Sequence, residues 1–383
     1  LSPASTIKNF MTERTKQVLK AAKAPTKRPK EEKAQRCLSS GSTLLNLACT
    51  NTPTGAFVEG KYIFFVGDSA SGKTFLSMSC FAEAARDSHF KNFRFIYDNV
   101  EDGCLIDLPA LFGEKVAQKI EPPTKDEAGV PVYSSTVEEF YYHLHDALEQ
   151  SKKEKRPFIY VLDSMDGLSS VAEEEKFLQH KEAFEKGKTA AGSYGDGKAK
   201  KNSEGLRKAL KGLRGTGSIL IIISQTRDNL GMGFETKTRS GGRALRFYAT
   251  LEIWMAIGGK IKKNIRGKDR VIGIQAKVQL KKNRITGEAH EVEMDIYPSY
   301  GIDDIGSCID YLVKEAWWEK RKNSIEAKEF EVTLSREKLI ALVEEKNESI
   351  TKLQTITAEC WNAIRNAGKL NRKKRYAEDV DFN

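Results

Sequence analysis

The chain lacks most of what would make it a metal-templated, disulfide-stapled or membrane protein. Its six cysteines, Cys37, Cys49, Cys80, Cys104, Cys308 and Cys360, form no CxxC pair, and no histidine stands beside them at zinc-ligand spacing. Scattered cysteines in a long chain fit a reducing compartment. The five histidines show no ligand or triad spacing. The longest apolar runs, YIFFV and ILIII, fall far short of the roughly 20 residues that span a bilayer. The N-terminal stretch LSPASTIKNFMTERTKQVLK has no apolar signal segment, and no internal repeat is visible. A soluble, cytoplasmic protein without a membrane partner is expected.

What the chain has in excess is positive charge. Over 383 residues the formal net charge is +10, with 39% hydrophobic content. That content suffices for a sizeable core and more than one domain. The charge favours nucleic acid, an anionic membrane or an acidic partner without choosing among them.

Three regions follow from composition. Residues 1–36 are basic, with an amphipathic pattern over Ile7 to Ala22 and then the linker APTKRPKEEK. This reads as an oligomerisation arm or a solvated tail. From 37 to 305, short apolar runs (YIFFVG, FRFIYD, PFIYVLDS, SILIIIS, LEIWMAI) alternate with helical patterns. Such a rhythm predicts an α/β core with a mostly parallel central sheet covered on both faces. VIGIQAKVQL and AHEVEMDIY alternate apolar with polar residues and read as antiparallel strands added to that sheet. Residues 173–205 begin charged and helical, then turn to Gly, Lys and Ser, which predicts a mobile loop. From 306 to 383 the pattern is that of a small helical C-terminal region ending in a disordered basic tail. Trp317, Trp318 and Trp361 fall on helical patterns there and are expected in its core.

GDSASGKT at 67–74 fits G-x-x-x-x-G-K-[ST], between an apolar run and an amphipathic pattern. Gly67 and Gly72 would let the backbone curl so that N–H groups point at phosphate oxygens, and the helix N-terminus that follows favours an anion. Asp68, Ser69, Ala70 and Ser71 complete the turn, and Phe75 follows it. Lys73 is expected on the β- and γ-phosphates and Thr74 on Mg²⁺, so the cofactors are ATP and magnesium. PFIYVLDS supplies Asp163 as the second metal-binding group. FRFIYDNVEDG supplies the carboxylate for hydrolysis: Glu101 first, with Asp98 as the alternative.

The run SILIIIS ends on Ser224 and Gln225 and opens into a long stretch rich in cations and glycines. An amide at that strand tip could sense the γ-phosphate. Beyond it, Arg227, Lys237, Arg239 and Arg243 would grip a polynucleotide, and Gly231, Gly233, Gly241 and Gly242 would allow close approach. Met232 and Phe234 would wedge near bases.

These segments, GDSASGKT, FIYDNVE, YVLDS, SQTRDNLGMGF…SGGRALRFYA and KKNRITGEAHEVEMDIYPSYGID, follow one another in the order and spacing of the RecA family of recombinases. Within it the chain resembles the phage UvsX-type branch more than bacterial RecA. The resemblance covers roughly residues 40–305. It implies a P-loop ATPase core, a helical filament of this chain on single-stranded DNA, homologous pairing with double-stranded DNA, and a role in recombination and repair in a bacterial or phage-infected cell. By position, 226–243 match the second DNA-binding loop and 173–205 occupy the place of the first. Lys282 and Arg284 match cations inserted into the ATP site of the adjacent subunit, and the N-terminal arm resembles the segment that docks on the next protomer. Mediator and single-strand-binding proteins are implied partners. Two departures stand out: FIYDNVEDG carries one residue more than the family's D-x-E spacing, and the C-terminal region is unlike that of bacterial RecA. A hexameric helicase or motor with the same core, and a regulatory paralogue that pairs no DNA, remain alternative readings.

Overall fold

The computed structural model describes residues 36–101, 106–186, 197–228, 237–239 and 242–372; at 227–228 and 237–239 the description is confined to the backbone. The expected N-terminal arm (Arg36 apart), Gly231, Met232, Gly233, Phe234, Gly241, and all of the basic tail beyond Arg372 lie outside those residues.

Continuous apolar runs form the centre of the fold. β1 (Cys37–Leu38) and β2 (Phe57–Val58) pair antiparallel at its margin. The main sheet is built from β3 (Tyr62–Gly67), β4 (Arg94–Asn99), β5 (Ile120–Glu121), β8 (Phe158–Asp163), β9 (Ile219–Asp228) and β11 (Leu251–Ile265), all parallel, in the order β11-β3-β9-β8-β4-β5. β6 (Thr124–Lys125) and β7 (Pro131–Val132) form a separate small hairpin. β10 (Lys237–Arg239) pairs antiparallel on β9. β12 (Lys268–Asn283), β13 (Glu291–Tyr297) and β14 (Gly301–Asp303) extend the sheet beyond β11 as antiparallel strands.

The period-2 geometry of a strand sends successive side chains to opposite faces. On β3, Ile63 and Phe65 join one core cluster while Tyr62, Phe64 and Val66 join the other. β8 and β9 divide in the same way. The first face is covered by helices α1 (Thr43–Thr50) and α2 (Lys73–Arg86), through residues such as Leu45, Leu76 and Phe81. The second face is covered by α3 (Val137–Glu154) and, later in the chain, α5 (Gly197–Thr216), through Phe140, Leu144, Leu206 and Leu213. The α/β class with a mostly parallel central sheet is therefore the observed fold.

Three expectations need correction. The stretch 173–205 is not one loop. A capping box of Ser170 and Glu173 starts a helix, α4 (Val171–Glu185), and α5 begins at Gly197 because Leu206, Ala209 and Leu213 give it an apolar stripe against α3. Only 187–196, between the two helices, lie outside the description. Second, β9 does not stop at Ser224–Gln225; it runs to Asp228 and is paired back by Lys237–Arg239. Third, the C-terminal region is not wholly helical. After α6 (Arg243–Tyr248) and α7 (Asp304–Lys314) come β15 (Glu319–Arg321), β16 (Ser324–Ala327) and β17 (Val332–Leu334), an antiparallel three-stranded sheet, and only then α8 (Arg336–Glu344) and α9 (Asn347–Ala367). The tryptophans there are core residues, each with its indole N–H satisfied. Trp317 and Trp318 donate to Glu329 at 2.8 and 2.6 Å, and Trp361 donates to Asn51 at 3.0 Å.

Candidate nucleotide site

Gly67, the last residue of β3, is level with Gln225 on β9 and with Met255 on β11. The chain turns there, and α2 starts six residues later at Lys73. Gly67 is required by close approach to backbone, and Gly72 by its positive φ. A Cβ on Gly67 would lie 2.2 Å from the Met255 carbonyl oxygen, and one on Gly72, at φ 96, would lie 2.4 Å from Ile296 Cδ1. Above the turn lies a cavity of about 480 Å³. Residues 70–75, Asn99, Glu101 and Asp163 form one side of it, and Val271–Ile274, Ile296 and Pro298 form the other. Gly67, Asp68 and Ser69 build the turn without lining the cavity.

Lys73 is buried, and desolvation lowers its pKa against the opposing pull of the Asp163, Asp68, Asp166 and Glu101 carboxylates. Its ammonium donates to the carbonyls of Gly67 (2.9 Å) and Asp68 (2.6 Å). Thr74 Oγ1 donates to Asp163 Oδ2 at 2.7 Å, and Tyr97 OH donates to the same oxygen at 3.0 Å. Burial raises the Asp163 pKa, and those two hydrogen bonds oppose the shift. The Asp163–Ser164 peptide is cis.

The two candidate carboxylates on the β4 side separate cleanly. Asp98 is fully buried and accepts from Ser134 N (2.9 Å), Ser134 Oγ (2.6 Å) and Tyr160 OH (2.8 Å). All of these bonds lie inside the sheet–helix core, and Asp98 does not line the cavity. Glu101 lies at the cavity wall. Its Oε1 accepts from Ser164 Oγ at 2.6 Å and from Gln225 Nε2 at 3.4 Å. Of the two, Glu101 has the geometry of a group that could act on a ligand.

Sequence reasoning missed four residues of this constellation. Tyr97 orients Asp163, and Ser164 holds Glu101. Asp166 accepts from the Gln225 backbone N–H at 2.7 Å. The Thr226 hydroxyl donates to the Asp68 carboxylate. The signal was the cluster of polar residues just past two apolar strands, DSMD after β8 and SQT at the end of the ILIII run. Asp68 therefore carries two links: its carbonyl holds the Lys73 ammonium and its carboxylate holds Thr226, where the exit from the sheet begins.

The remaining candidates are not brought to this cavity. Lys282 is level with Glu252 on β11, three residues before Met255, which is about 10 Å back along the strand. Its ammonium donates to the carbonyls of Arg246 (2.5 Å) and Phe247 (2.8 Å), near the end of α6. The Arg284 guanidinium lies 5.9 Å from the Phe247 ring centre, and Phe247 is itself exposed. Gly242, at φ 81, precedes α6 with no room for a Cβ beside Ala199, and Arg243 opens that helix as an exposed residue. Arg227, Lys237 and Arg239 lie on the β9–β10 hairpin.

The site fits a triphosphate with magnesium on two grounds. Ser71 Oγ is buried in the loop with no hydrogen-bond partner among the described residues, as a donor meant for a phosphate oxygen would be. A hydroxyl and a carboxylate meeting at Thr74 and Asp163 suit a cation that takes few protein ligands and completes its shell with phosphate and water.

A glycine-cradled loop ending one strand, a carboxylate ending the next strand but one, and a polar tip on the strand between them define the class of phosphate-loop α/β proteins. The comparisons narrow the class. The family model described as the RecA N-terminal domain matches residues 182–303. Protein RecA of Cytophaga hutchinsonii is 29% identical over 285 residues, covering 72% of this chain and 68% of that protein. Both are similarities to the RecA family over part of the chain. They do not distinguish its branches. No helix among the described residues is long and apolar enough to cross a membrane.

Proposed function

We propose that this chain is a DNA-dependent, Mg-dependent ATPase that forms helical filaments on single-stranded DNA. In that state it promotes homologous pairing and strand exchange in recombination and repair. The observation that carries the reading is the shared rung of Gly67 and Gln225. One residue pair joins the phosphate loop to the strand that leads into the cationic stretch, and the Gln225 amide reaches Glu101. The similarity to RecA supports recombination and repair as the setting.

In this reading residues 67–75 cradle the triphosphate, with Lys73 on its phosphates. Thr74 and Asp163 hold magnesium, which neutralises charge on the phosphates when bound. Glu101 takes a proton from, or orients, the attacking water, and Gln225 reports the γ-phosphate to residues 226–243. Arg227, Lys237, Arg239 and Arg243 contact the DNA backbone, with Gly241 and Gly242 allowing close approach, so binding is sequence-independent and salt-sensitive. Lys282 and Arg284 complete the nucleotide site of the neighbouring protomer, and residues 1–36 dock on it. The core spans 37–305, and 306–383 form an appended C-terminal region. Mediator and single-strand-binding proteins are the expected accessory partners. The UvsX-type branch, with a cytoplasmic setting in a bacterial or phage-infected cell, is the assignment that the sequence motifs favour.

Oligonucleotide binding measured with a non-hydrolysed ATP analogue, with ADP and without nucleotide tests this reading, alongside electron microscopy of the complexes. Tight binding and helical filaments with the analogue alone are expected. Closed rings would move the reading to a hexameric motor, and equal affinity in all three states would remove the coupling on which it rests.

A further inference from the structure

Helices of globular proteins owe most of their stability to the packing of one face, yet none of the 15 residues of α4 is buried. Only its root is held. Ser170 caps it, Ser169 Oγ donates to Glu174 at 2.6 Å, and the Lys198 ammonium lies 3.2 Å from Glu173. Past that first turn, Phe177, Leu178 and Phe184 stand 68%, 58% and 84% exposed. Phe177 and Phe184 are seven residues apart, close to two turns, so they share one line of the helix. Large apolar side chains set side by side in water mark a surface that another molecule covers. The charge of α4 narrows the choice of molecule. Glu173, Glu174, Glu175, Glu182 and Glu185 stand against Lys176 and Lys181, a balance that opposes contact with phosphates and suits a basic protein surface.

Such a surface lies on the second face of the same fold. α3 and α5 enclose a groove of about 960 Å³. The two helices touch at Gly205 and Gly212, where a Cβ would lie 2.4 Å from the Tyr141 ring and 2.8 Å from Leu148. At Gly215 a Cβ would meet nothing within 4 Å, and the groove opens. Its floor is apolar, with Leu144, Leu148 and Ala209. Its rim carries Lys152, Lys201, Lys208 and Lys211. The rim acids Glu149, Glu138 and Glu204 are each paired with one of the first three, which leaves Lys211 over. α5 as a whole carries seven cations against Glu204 alone. The lining stretch of α3 runs from Glu138 to Lys152, which is 15 residues, as is α4; both are about 22 Å long.

Helix and groove also lie at opposite ends of the strands. α4 follows the carboxyl end of β8, whereas Lys152, Lys211 and Gly215 adjoin the amino ends of β8 and β9. We propose that α4 of one copy docks in the α3–α5 groove of the next copy. The contact adds to those given under Proposed function and rests on that reading for its head-to-tail order, in which the Lys282 end of one chain meets the phosphate-loop end of its neighbour. Head-to-tail contacts are heterologous and use a different patch on each partner. Phe177 and Phe184 enter the apolar floor, and the glutamates meet the lysine rim.

Two full-length variants test the contact: Glu182→Lys with Glu185→Lys, and Lys208→Glu with Lys211→Glu. All four side chains are exposed, and none lines the nucleotide cavity. Assembly is followed by sedimentation and electron microscopy, on single-stranded DNA with a non-hydrolysed ATP analogue and, at high protein concentration, without either. Each variant alone should need about tenfold more protein than the parent to assemble, the scale of like charges set face to face. An equimolar mixture should assemble within about twofold of the parent's concentration, because each alternating junction again joins opposite charges. A mixture no better than its components would overturn the proposal, as would variants that assemble alone like the parent. So would a loss cured by placing all four changes in one chain but not by mixing, which would seat α4 in its own groove. If the parent builds no filament on DNA but its DNA-free association follows the same pattern, the functional reading fails and the contact stands. A parent that does not self-associate under either condition removes both.

Discussion

The two ends of the central strands differ in what they do with charge. At the carboxyl end, Lys73, Thr74, Asp163 and Glu101 line one cavity, with Thr74 bonded to Asp163 and Glu101 to Gln225. At the other end, Lys282 and Arg284 sit beside an exposed Phe247, the first donating to two α6 carbonyls and the second lying over the aromatic face. In the reading proposed above, the cavity is half of a site, and Lys282 and Arg284 are the half offered to another copy.

The most damaging ways to break that division act on either half alone. Lys73→Ala, and separately the pair Lys282→Ala with Arg284→Ala, should each lower DNA-stimulated ATP hydrolysis on the order of 1000-fold. Only the first should abolish equilibrium nucleotide binding, read by titration with a fluorescent ATP analogue. Glu101→Gln should cost about 100-fold in hydrolysis while leaving nucleotide affinity and thermal stability near the parent's. Asp98→Ala should do the reverse. Losing an acceptor of three buried hydrogen bonds should cost about 3–5 kcal/mol of stability, visible in denaturant unfolding, with nucleotide binding untouched.

Smaller effects sharpen the picture. Thr226→Val removes the link to Asp68 and should reduce the ratio of hydrolysis with DNA to hydrolysis without it by about threefold to tenfold, the scale of one hydrogen bond. Basal hydrolysis should be unchanged. The antiparallel flank provides a control away from both ends. There the Asp295 carboxyl is pushed up to about 6, by burial first and then by the Asp310 carboxylate, with Arg336 opposing. Its ordinary value is near 3.9, so the stability it contributes is fully present below about pH 4 and is lost as pH rises through 6. Asp295→Asn should therefore gain in melting temperature relative to the parent as pH rises from 4 to 7.

Much of the carboxyl end was legible in the sequence. Continuous apolar runs fixed which segments become central strands, and a strand's period of two decides which side chains face each helix layer. The glycine spacing of 67–74 marked the turn, and polar residues ending apolar runs marked Asp163 and Gln225. What was not legible depends on pairings between distant segments. Asp98 and Glu101 look alike in FIYDNVE until Ser134 and Tyr160, far off in the chain, occupy the first. The small C-terminal sheet escaped because EKR, SIEA and VTL, at three or four residues each, are too short to show a period. The outer part of the β11–β12 ladder escaped because alternation locates strands but does not say where a neighbouring strand ends.

The central claim, that each nucleotide site is shared between two protomers, is tested most directly by mixing the Lys73→Ala chain with the Lys282→Ala, Arg284→Ala chain. Each is nearly inactive alone, but an interface that joins the intact cavity of one to the intact cations of the other is complete. With random head-to-tail assembly on DNA, hydrolysis should recover to about a quarter of the parent rate. Hydrolysis by the mixture no greater than that of the two variants measured separately would contradict the account.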